Sequence, residues 1–150
     1  MTETNYKILN EQLSALITDV PHPIANLANA SALLYSTLDL LNWAGFYLME
    51  DGKLVLGPFQ GKVACIEIPV GRGVCGTAAA ERRTQLVSDV HAFPGHIACD
   101  GASESEIVVP IRKDGEIIGV LDIDSPVKAR FSEADQAGLE AFVEILQKWI

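Results

Sequence analysis

Residues 106–124 read EIVVPIRKDGEIIGVLDID and predict the β-hairpin that decides the fold. Apolar side chains alternate along both arms, as in strands that are buried on one face; they are Ile107, Val109 and Ile111, then Ile117, Leu121 and Ile123. A three-residue loop at 113–115 sets Ile107 opposite Leu121, so the two apolar faces meet. A two-residue loop would set Ile107 opposite Asp122 instead. Gly115 can adopt the left-handed conformation that the longer loop needs.

The same register predicts a cluster of three carboxylates on the other face of this hairpin. Glu106 lies opposite Asp122, and Asp124 follows two residues further along that face, roughly 7 Å away. Because like charges repel each other in such positions, the cluster either binds a cation or keeps one carboxyl protonated. The alternative is a solvated edge of the sheet, where surface acids are common. The long loop that leads into Glu106 favours a site.

The remaining sequence predicts an α+β fold with a mostly antiparallel sheet and helices on one side. The spacing of leucines and isoleucines predicts two helices before residue 39, with a break at His22-Pro23. Ser132 opens a last helix with a capping box. The other predicted elements are strands at 43–49, 53–59, 63–69 and 85–88, an Ala-rich helix at 74–83, and a polar loop at 89–105.

Length and composition predict one globular domain over residues 1–150. The apolar fraction is 49% and the charged fraction is 21%, and 11 basic against 20 acidic residues give a net charge of −9. An acidic chain repels phosphate backbones, so we expect no nucleic-acid partner. No apolar run reaches the ~18 residues of a membrane span, so we expect no membrane partner. The N-terminal residues do not resemble a signal peptide, and the three cysteines are an odd number, so we expect a cytoplasmic protein with reduced thiols.

The three cysteines occupy three different predicted settings. Cys65 lies in a predicted strand, where a free cysteine can simply be a small buried hydrophobe. Cys75 lies at a predicted helix start, where the helix dipole would stabilise its thiolate. Cys99 lies in the polar loop, and an exposed thiol in such a loop favours a working cysteine.

Two other interpretations of these residues are less consistent with the pattern. Zinc could use the histidines and cysteines, but the chain has no CxxC or HxxxH pair, so we expect no metal. The segment GRGVCG at 71–76 matches the GxGxxG fingerprint of dinucleotide binding. It comes third in a run of hairpin-linked strands rather than in a first βαβ unit, which favours a tight turn that packs a helix closely on the sheet.

Four motifs together resemble a known enzyme family: WAGFY (43–47), GRGVCGTAA (71–79), HIACD (96–100) and GVLDIDS (119–125). With the spacing of the three cysteines, they resemble the free methionine-(R)-sulfoxide reductases, which are freestanding GAF domains. The resemblance covers essentially the whole chain. It implies a GAF-like fold with a six-stranded antiparallel sheet, helices packed on one side and a loop-capped ligand pocket on the other.

The resemblance also implies roles for individual residues. Cys99 matches the cysteine that attacks the sulfoxide, Cys65 matches the cysteine that resolves the resulting sulfenic acid, and Cys75 matches a third cysteine with an auxiliary role. The implied substrate-binding residues are Glu106, Asp122 and Asp124, with Trp43 and Tyr47 as an aromatic wall around the substrate methyl group. Reduction of free methionine sulfoxide would use thioredoxin as the reductant and no metal or organic cofactor, and a homodimer is expected. The alternative function is a GAF domain that senses a small molecule without catalysis.

Overall fold

The computed structural model describes residues 3–97 and 101–150. The helices are α1 (Tyr6–Ile17), α2 (Pro23–Thr37), α3 (Gly73–Glu81) and α4 (Glu133–Leu146), and the strands are β1 (Trp43–Glu50), β2 (Lys53–Gly61), β3 (Glu67–Pro69), β4 (Gln85–Val87), β5 (Ser105–Lys113) and β6 (Glu116–Ser125). All six strands form one antiparallel sheet in the order β3-β2-β1-β6-β5-β4. The predicted α+β fold is therefore confirmed. Within the described ranges, every helix is too short or too polar to cross a membrane.

Local signals in the sequence start each long helix where it is observed. The Asn5 side chain accepts a hydrogen bond from the backbone N–H of Ile8 and caps α1. Pro23 occupies the first turn of α2, where its missing N–H costs nothing. Ser132 and Asp135 form the predicted capping box of α4, with each side chain bonded to the other residue's backbone N–H.

Three helices, α1, α2 and α4, pack on one face of the sheet and bury the larger hydrophobic core. Leu13, Leu34 and Phe142 are completely buried there against strand residues such as Phe46 and Leu121. Truncating one of these large side chains to alanine would cost about 2–5 kcal/mol, because the surrounding core relaxes only in part. This core makes the sheet a rigid support for its opposite face.

The short helix α3 lies on that opposite face of the sheet. Its buried residues Val74 and Ala78 pack with Trp43, Tyr47 and Val108 in a second, smaller core. The sheet is thus covered by three helices on one face, and by α3 together with loops on the face where a pocket was expected.

The register of the β5–β6 hairpin differs from the prediction. The loop has two residues, Asp114 and Gly115, both with positive φ, which is the geometry of a tight hairpin turn. The register then shifts between Ile111 and Arg112. As a result Ile107 lies opposite Ile123 rather than Leu121.

This register shift explains why the apolar faces still meet. A two-residue turn alone would place apolar residues opposite polar ones, and the extra residue in β6 restores the alternation. The same bulge rotates Ile118 into the larger core and leaves Ile117 on the other face, so the prediction that Ile117 shares a face with Leu121 is wrong.

Two predictions about the segment from residue 61 to residue 76 have different outcomes. The strand predicted at 63–69 is confirmed only for Glu67–Pro69, and Cys65 lies in the irregular segment before it rather than in a strand. The tight turn predicted for GRGVCG is confirmed, since the Gly71 N–H donates to the Gly76 carbonyl. A Cβ on Gly76 would stand 2.4 Å from the Pro69 carbonyl oxygen, so only glycine permits this close approach.

A buried polar network ties the beginning of α1 to the beginning of α4. The Tyr6 hydroxyl donates to Asp135 Oδ1 over 2.7 Å, and Arg130 Nη1 lies 3.5 Å from Asp135 Oδ2. The Arg130 Nε–H also donates to the Asp39 carbonyl. Asp135 therefore has an arginine among its partners, whereas Glu106 and Asp122 on the other side of the sheet lie beside further acids.

Candidate functional site

A recess opens on the face of the sheet that carries α3. The recess is lined by residues of β1, β3, β5, β6 and α3, together with residues from the chain between β2 and β3 and from the chain between β4 and β5. The predicted site residues among them are Trp43, Tyr47, Cys75, Glu106, Asp122 and Asp124. The structure thus brings six of the eight predicted residues to one recess. Cys65 lies in a neighbouring segment, and Cys99 lies outside the described residues.

The three carboxylates lie together, although not in the predicted pairing. Glu106 is opposite Asp124 rather than Asp122, because the shorter turn and the bulge each shift β6 by one residue relative to the predicted register. A shift of two leaves every side chain on its original face, so Asp122 still projects from the same face as Glu106 and Asp124. Glu106 and Asp122 are each 6% exposed, and Asp124 is partly exposed.

Burial forces this cluster to hold protons. Loss of hydration on burial raises the pKa of Glu106 well above its ordinary value of 4.5, and the charges of Asp122 and Asp124 raise it further. Burial also raises the pKa of Asp122, while hydrogen bonds with Glu106 and Cys75 and the nearby His96 act in the opposite direction. The cluster therefore pairs a carboxylic acid at Glu106 with acceptor oxygens on the aspartates.

One oxygen of Asp122 has no bonding partner. Asp122 Oδ1 is buried and makes no hydrogen bond to any group in the described part of the chain. An unsatisfied buried carboxylate oxygen costs about 1–3 kcal/mol or more. Asp122 lines the recess, so its carboxyl group lies beside any ligand that enters there.

The environment of Cys75 is opposite to the one predicted from its place at a helix start. Cys75 lies within the first turn of α3, but its side chain is buried against the carboxylates. Burial raises the pKa of the Cys75 thiol well above its ordinary value of 9.0, and the charges of Asp122 and Glu106 add to the effect. The prediction that the helix dipole gives Cys75 a stabilised thiolate is therefore wrong, and Cys75 is a neutral, free thiol.

Cys65 lies in the irregular chain between β2 and β3, and we call residues 62–66 the Cys65 segment. Cys65 is disulfide-bonded and partly buried, whereas Cys75 is free. Two aromatic side chains of the recess hold this segment: the Trp43 Nε1–H donates to the Lys62 carbonyl over 3.1 Å, and the Tyr47 hydroxyl donates to the Cys65 carbonyl over 2.9 Å.

Trp43 and Tyr47, the two residues of the predicted aromatic wall, both line the recess, and a third ring that was not predicted stacks on Trp43. Trp43 stacks on Tyr47 with ring centroids 5.9 Å apart, and Phe59 of β2 stacks on the other side of Trp43 at 5.1 Å. A Cβ on Gly45 would stand 2.2 Å from the Phe59 Cβ, so the glycine between the two aromatic residues of β1 makes room for Phe59. That glycine within an otherwise aromatic strand was the available signal.

The lining of the recess contains further polar residues that the sequence did not single out. Ser103 is buried and accepts a hydrogen bond from the Asn42 Nδ2–H over 3.0 Å. Arg72 precedes α3, and His96 comes from the polar loop. Burial lowers the pKa of His96, which favours a neutral imidazole. Placement of the loop against the sheet brings these residues to the recess, and no local sequence pattern predicts that placement.

Among the residues that the structure describes, two groups have the chemistry of metal ligands. Ligand atoms of Cys75, Glu106 and Asp122 lie within 4.8 Å of one another, as do those of Asp89, His91 and Glu104. The raised pKa values of the first group favour bound protons there, which compete with a metal. In the second group, Asp89 pairs with Lys128 at 3.4 Å and His91 pairs with Glu104 at 3.2 Å. We assign a metal to neither group.

Comparison with known proteins places this geometry in a family. The GAF domain family matches residues 30–147. The free methionine-R-sulfoxide reductase of Escherichia coli is 58% identical over 143 residues, which are 95% of this chain and 87% of that protein. This chain belongs to the GAF-domain family of free methionine-R-sulfoxide reductases. The family predicted from the four sequence motifs is thereby confirmed.

Solved structures of this reductase family share the fold along nearly the whole chain. The structure of fRMsr of Staphylococcus aureus in complex with substrate has a TM-score of 0.95 and 58% identity, covering 99% of this chain and 97% of that one. The free methionine-R-sulfoxide reductase of Neisseria meningitidis in complex with its substrate has a TM-score of 0.94 and 44% identity, covering 99% and 92%. The predicted GAF-like architecture is therefore confirmed.

Proposed function

We propose that this protein reduces free L-methionine-(R)-sulfoxide to L-methionine with its own cysteines. The observation that carries the proposal is the cluster of Glu106, Asp122 and Asp124, which lines one recess together with the stacked rings of Trp43 and Tyr47. The relatives named as free methionine-R-sulfoxide reductases, and the structures of such enzymes with substrate, support the same conclusion.

The aspartates provide the charge that a free amino acid needs. Free methionine sulfoxide carries an ammonium group, and a carboxylate with an unused acceptor favours such a donor. Asp122 offers the unpartnered oxygen, and Asp124 is the more exposed acid of the cluster. A methionine sulfoxide within a peptide has no ammonium group, so this arrangement selects the free amino acid.

Glu106 is the proton donor in this proposal. The sulfoxide oxygen must gain a proton as a cysteine attacks the sulfur, and a carboxyl that stays protonated near neutral pH can provide it. The burial of Glu106 beside two aspartates, which raises its pKa, supports this role. Trp43 and Tyr47 share a face of β1 and line the recess, where their rings can pack against the S-methyl group.

The cysteine cycle balances without a metal or organic cofactor. The Cys99 thiol attacks the sulfoxide sulfur and takes its oxygen, which gives methionine and a sulfenic acid on Cys99. The Cys65 thiol then condenses with the sulfenic acid to form a disulfide and releases water. The disulfide-bonded state of Cys65 and the free thiol of Cys75 support the assignment of Cys65 as the resolving cysteine. The neutral, buried Cys75 has an auxiliary role.

An external protein dithiol, with thioredoxin as the candidate, completes the cycle by reducing the disulfide. Access to Cys65 supports this step, because its neighbours Val63 and Ile66 are 87% and 70% exposed. We further propose that residues 1–150 work as one GAF domain, that the enzyme forms a homodimer, and that it works in the cytoplasm, where thiols are kept reduced. Light scattering on the purified protein tests the dimer directly.

The test of the function follows each epimer of the substrate separately. Purified protein is mixed with a dithiol and racemic free methionine sulfoxide, and chiral chromatography records both epimers. We expect loss of the R epimer and formation of methionine, while the S epimer remains. If the R epimer binds in a calorimeter but is not consumed, the chain is a sensor domain and the proposal is wrong.

A further inference from the structure

The Cys65 segment, residues 62–66, is held in part by hydrogen bonds, in addition to the disulfide bond of Cys65 and the packing of Ala64 and Cys65 on the second core. It has no regular secondary structure, and Val63 and Ile66 are 87% and 70% exposed, so most of its apolar surface is not buried. Three donors from the sheet hold its carbonyl groups: the Trp43 Nε1–H on Lys62, the Tyr47 hydroxyl on Cys65, and the Leu56 N–H on Ile66. Among these donors, the Tyr47 hydroxyl binds the cysteine residue itself.

The Tyr47 side chain contacts both the recess and this segment. Its ring lines the recess beside Glu106 and Asp122, and its hydroxyl reaches the Cys65 carbonyl at 2.9 Å. Tyr47 is 2% exposed, so its position is fixed by the second core. Burial and the nearby carboxylates raise the pKa of Tyr47, so its hydroxyl remains a neutral donor.

We propose that the Tyr47 hydroxyl is a positioning group for Cys65 in the disulfide-forming step. This inference rests on the proposed function and adds a second role to the aromatic wall. Disulfide formation requires a narrow range of distances and dihedral angles between the two cysteines. A hydrogen bond that fixes the Cys65 backbone reduces the conformations that its sulfur must search before it reaches the sulfenic acid. Tyr47 acts here through Cys65, not on the reacting atoms.

The test separates the two chemical steps within one turnover. Reduced protein is mixed with L-methionine-(R)-sulfoxide without external reductant and quenched at successive times. Release of methionine reports the first step, and loss of sulfenic acid, trapped by a dimedone probe, reports the condensation with Cys65. For Tyr47→Phe we expect the ratio of the second rate to the first to fall about 5-fold. This factor corresponds to the roughly 1 kcal/mol that one hydrogen bond contributes.

Tyr6→Phe is the matched control for this substitution. It also removes one hydroxyl from a half-buried tyrosine, whose hydrogen bond to Asp135 is 2.7 Å long and lies on the other side of the sheet. We expect Tyr6→Phe to leave the ratio of the two rates within twofold of the unmodified protein. Replacing Tyr47 with 4-aminophenylalanine, which restores a donor at the same position, should recover most of the ratio.

Each outcome separates the positioning role from the proposed function. Loss of a single hydrogen bond leaves a domain of ordinary stability folded, so both rates can be measured in the Phe variants. If the unmodified protein releases methionine but Tyr47→Phe leaves the ratio unchanged, or if Tyr6→Phe lowers it equally, the positioning role is refuted. If the unmodified protein releases no methionine, the proposed function itself fails.

Discussion

Asp122→Asn separates binding from folding in one substitution. The change keeps the shape of the side chain and removes its negative charge. Asp122 is 6% exposed, its Oδ1 has no partner in the described ranges, and it raises the pKa values of Glu106 and Cys75. We assign its charge to the substrate ammonium group. In the empty protein, the cost of burying this charge offsets its hydrogen bonds with Glu106 and Cys75. Activity should therefore fall while stability does not.

The size of both effects follows from the burial of this carboxylate. A hydrogen bond to a charged group contributes about 1.5–3 kcal/mol, so its loss should reduce kcat/KM roughly 10- to 150-fold. A buried carboxylate oxygen without a partner costs about 1–3 kcal/mol, part of which Asn avoids because it is neutral. We expect the free energy of unfolding at pH 7 to stay the same or to rise by about 1 kcal/mol.

Asp135→Asn provides the opposite pattern as a control. Asp135 is also buried, at 8% exposure, but it has Tyr6, Ser132 and Arg130 as partners. Neutralising Asp135 leaves the buried Arg130 without a carboxylate partner, which should lower the free energy of unfolding by about 3 kcal/mol. We expect kcat/KM to stay within about twofold of the unmodified protein. Urea unfolding and initial rates with the R epimer measure both variants. The reasoning is refuted if Asp122→Asn destabilises the protein as strongly as Asp135→Asn, or if it retains normal kcat/KM.

Three further predictions test the cysteines, the acid cluster and the fold. Cys99→Ser should abolish turnover, whereas Cys65→Ser should release about one equivalent of methionine and then stop; normal turnover in Cys99→Ser would show that the nucleophile is wrongly assigned. Burial raises the pKa of Glu106 in the folded protein, so the folded state keeps this proton at pH values where the unfolded chain releases it. The stability that Glu106 contributes is fully present below about pH 4.5, and it is lost as the pH rises through the raised pKa. Glu106→Gln should therefore gain stability relative to the unmodified protein between pH 4.5 and pH 8, and parallel urea-unfolding curves across that range would contradict the raised pKa. Gly76→Ala should destabilise the protein by about 1–3 kcal/mol in urea, because its Cβ would stand 2.4 Å from the Pro69 carbonyl oxygen, and an unchanged midpoint would show that the turn yields easily.

The hairpin shows which features of the fold the sequence can predict. Alternation of apolar residues predicted the correct face for most side chains of β5 and β6, but not for Ile117, which lies beyond the bulge. The predicted three-residue loop was wrong. The shorter turn alone would set apolar residues opposite polar ones, and the bulge, which has no local sequence signal, brings the apolar faces together again. The carboxylate cluster survived this error, since a shift of two residues keeps Asp122 on the face of Glu106.

The cysteine environments show where prediction from the sequence stopped. Position within α3 suggested a stabilised thiolate for Cys75, but the packing of α3 against the carboxylate face reverses that effect. The Cys65 segment contains a run of apolar residues that favours a strand, yet it is bonded to the sheet mainly by the side chains of Trp43 and Tyr47. Both features depend on contacts between distant parts of the chain, which no local pattern encodes.

The central claim is that the protein's own thiols carry the two electrons that reduce the sulfoxide. The most direct measurement mixes fully reduced protein with excess racemic free methionine sulfoxide in the absence of any reductant, then counts methionine and remaining thiols. The account predicts about one methionine per chain, consumption of the R epimer alone, and loss of two thiols with Cys65 recovered in a disulfide. Folded protein that retains all of its thiols and leaves the R epimer intact would contradict it.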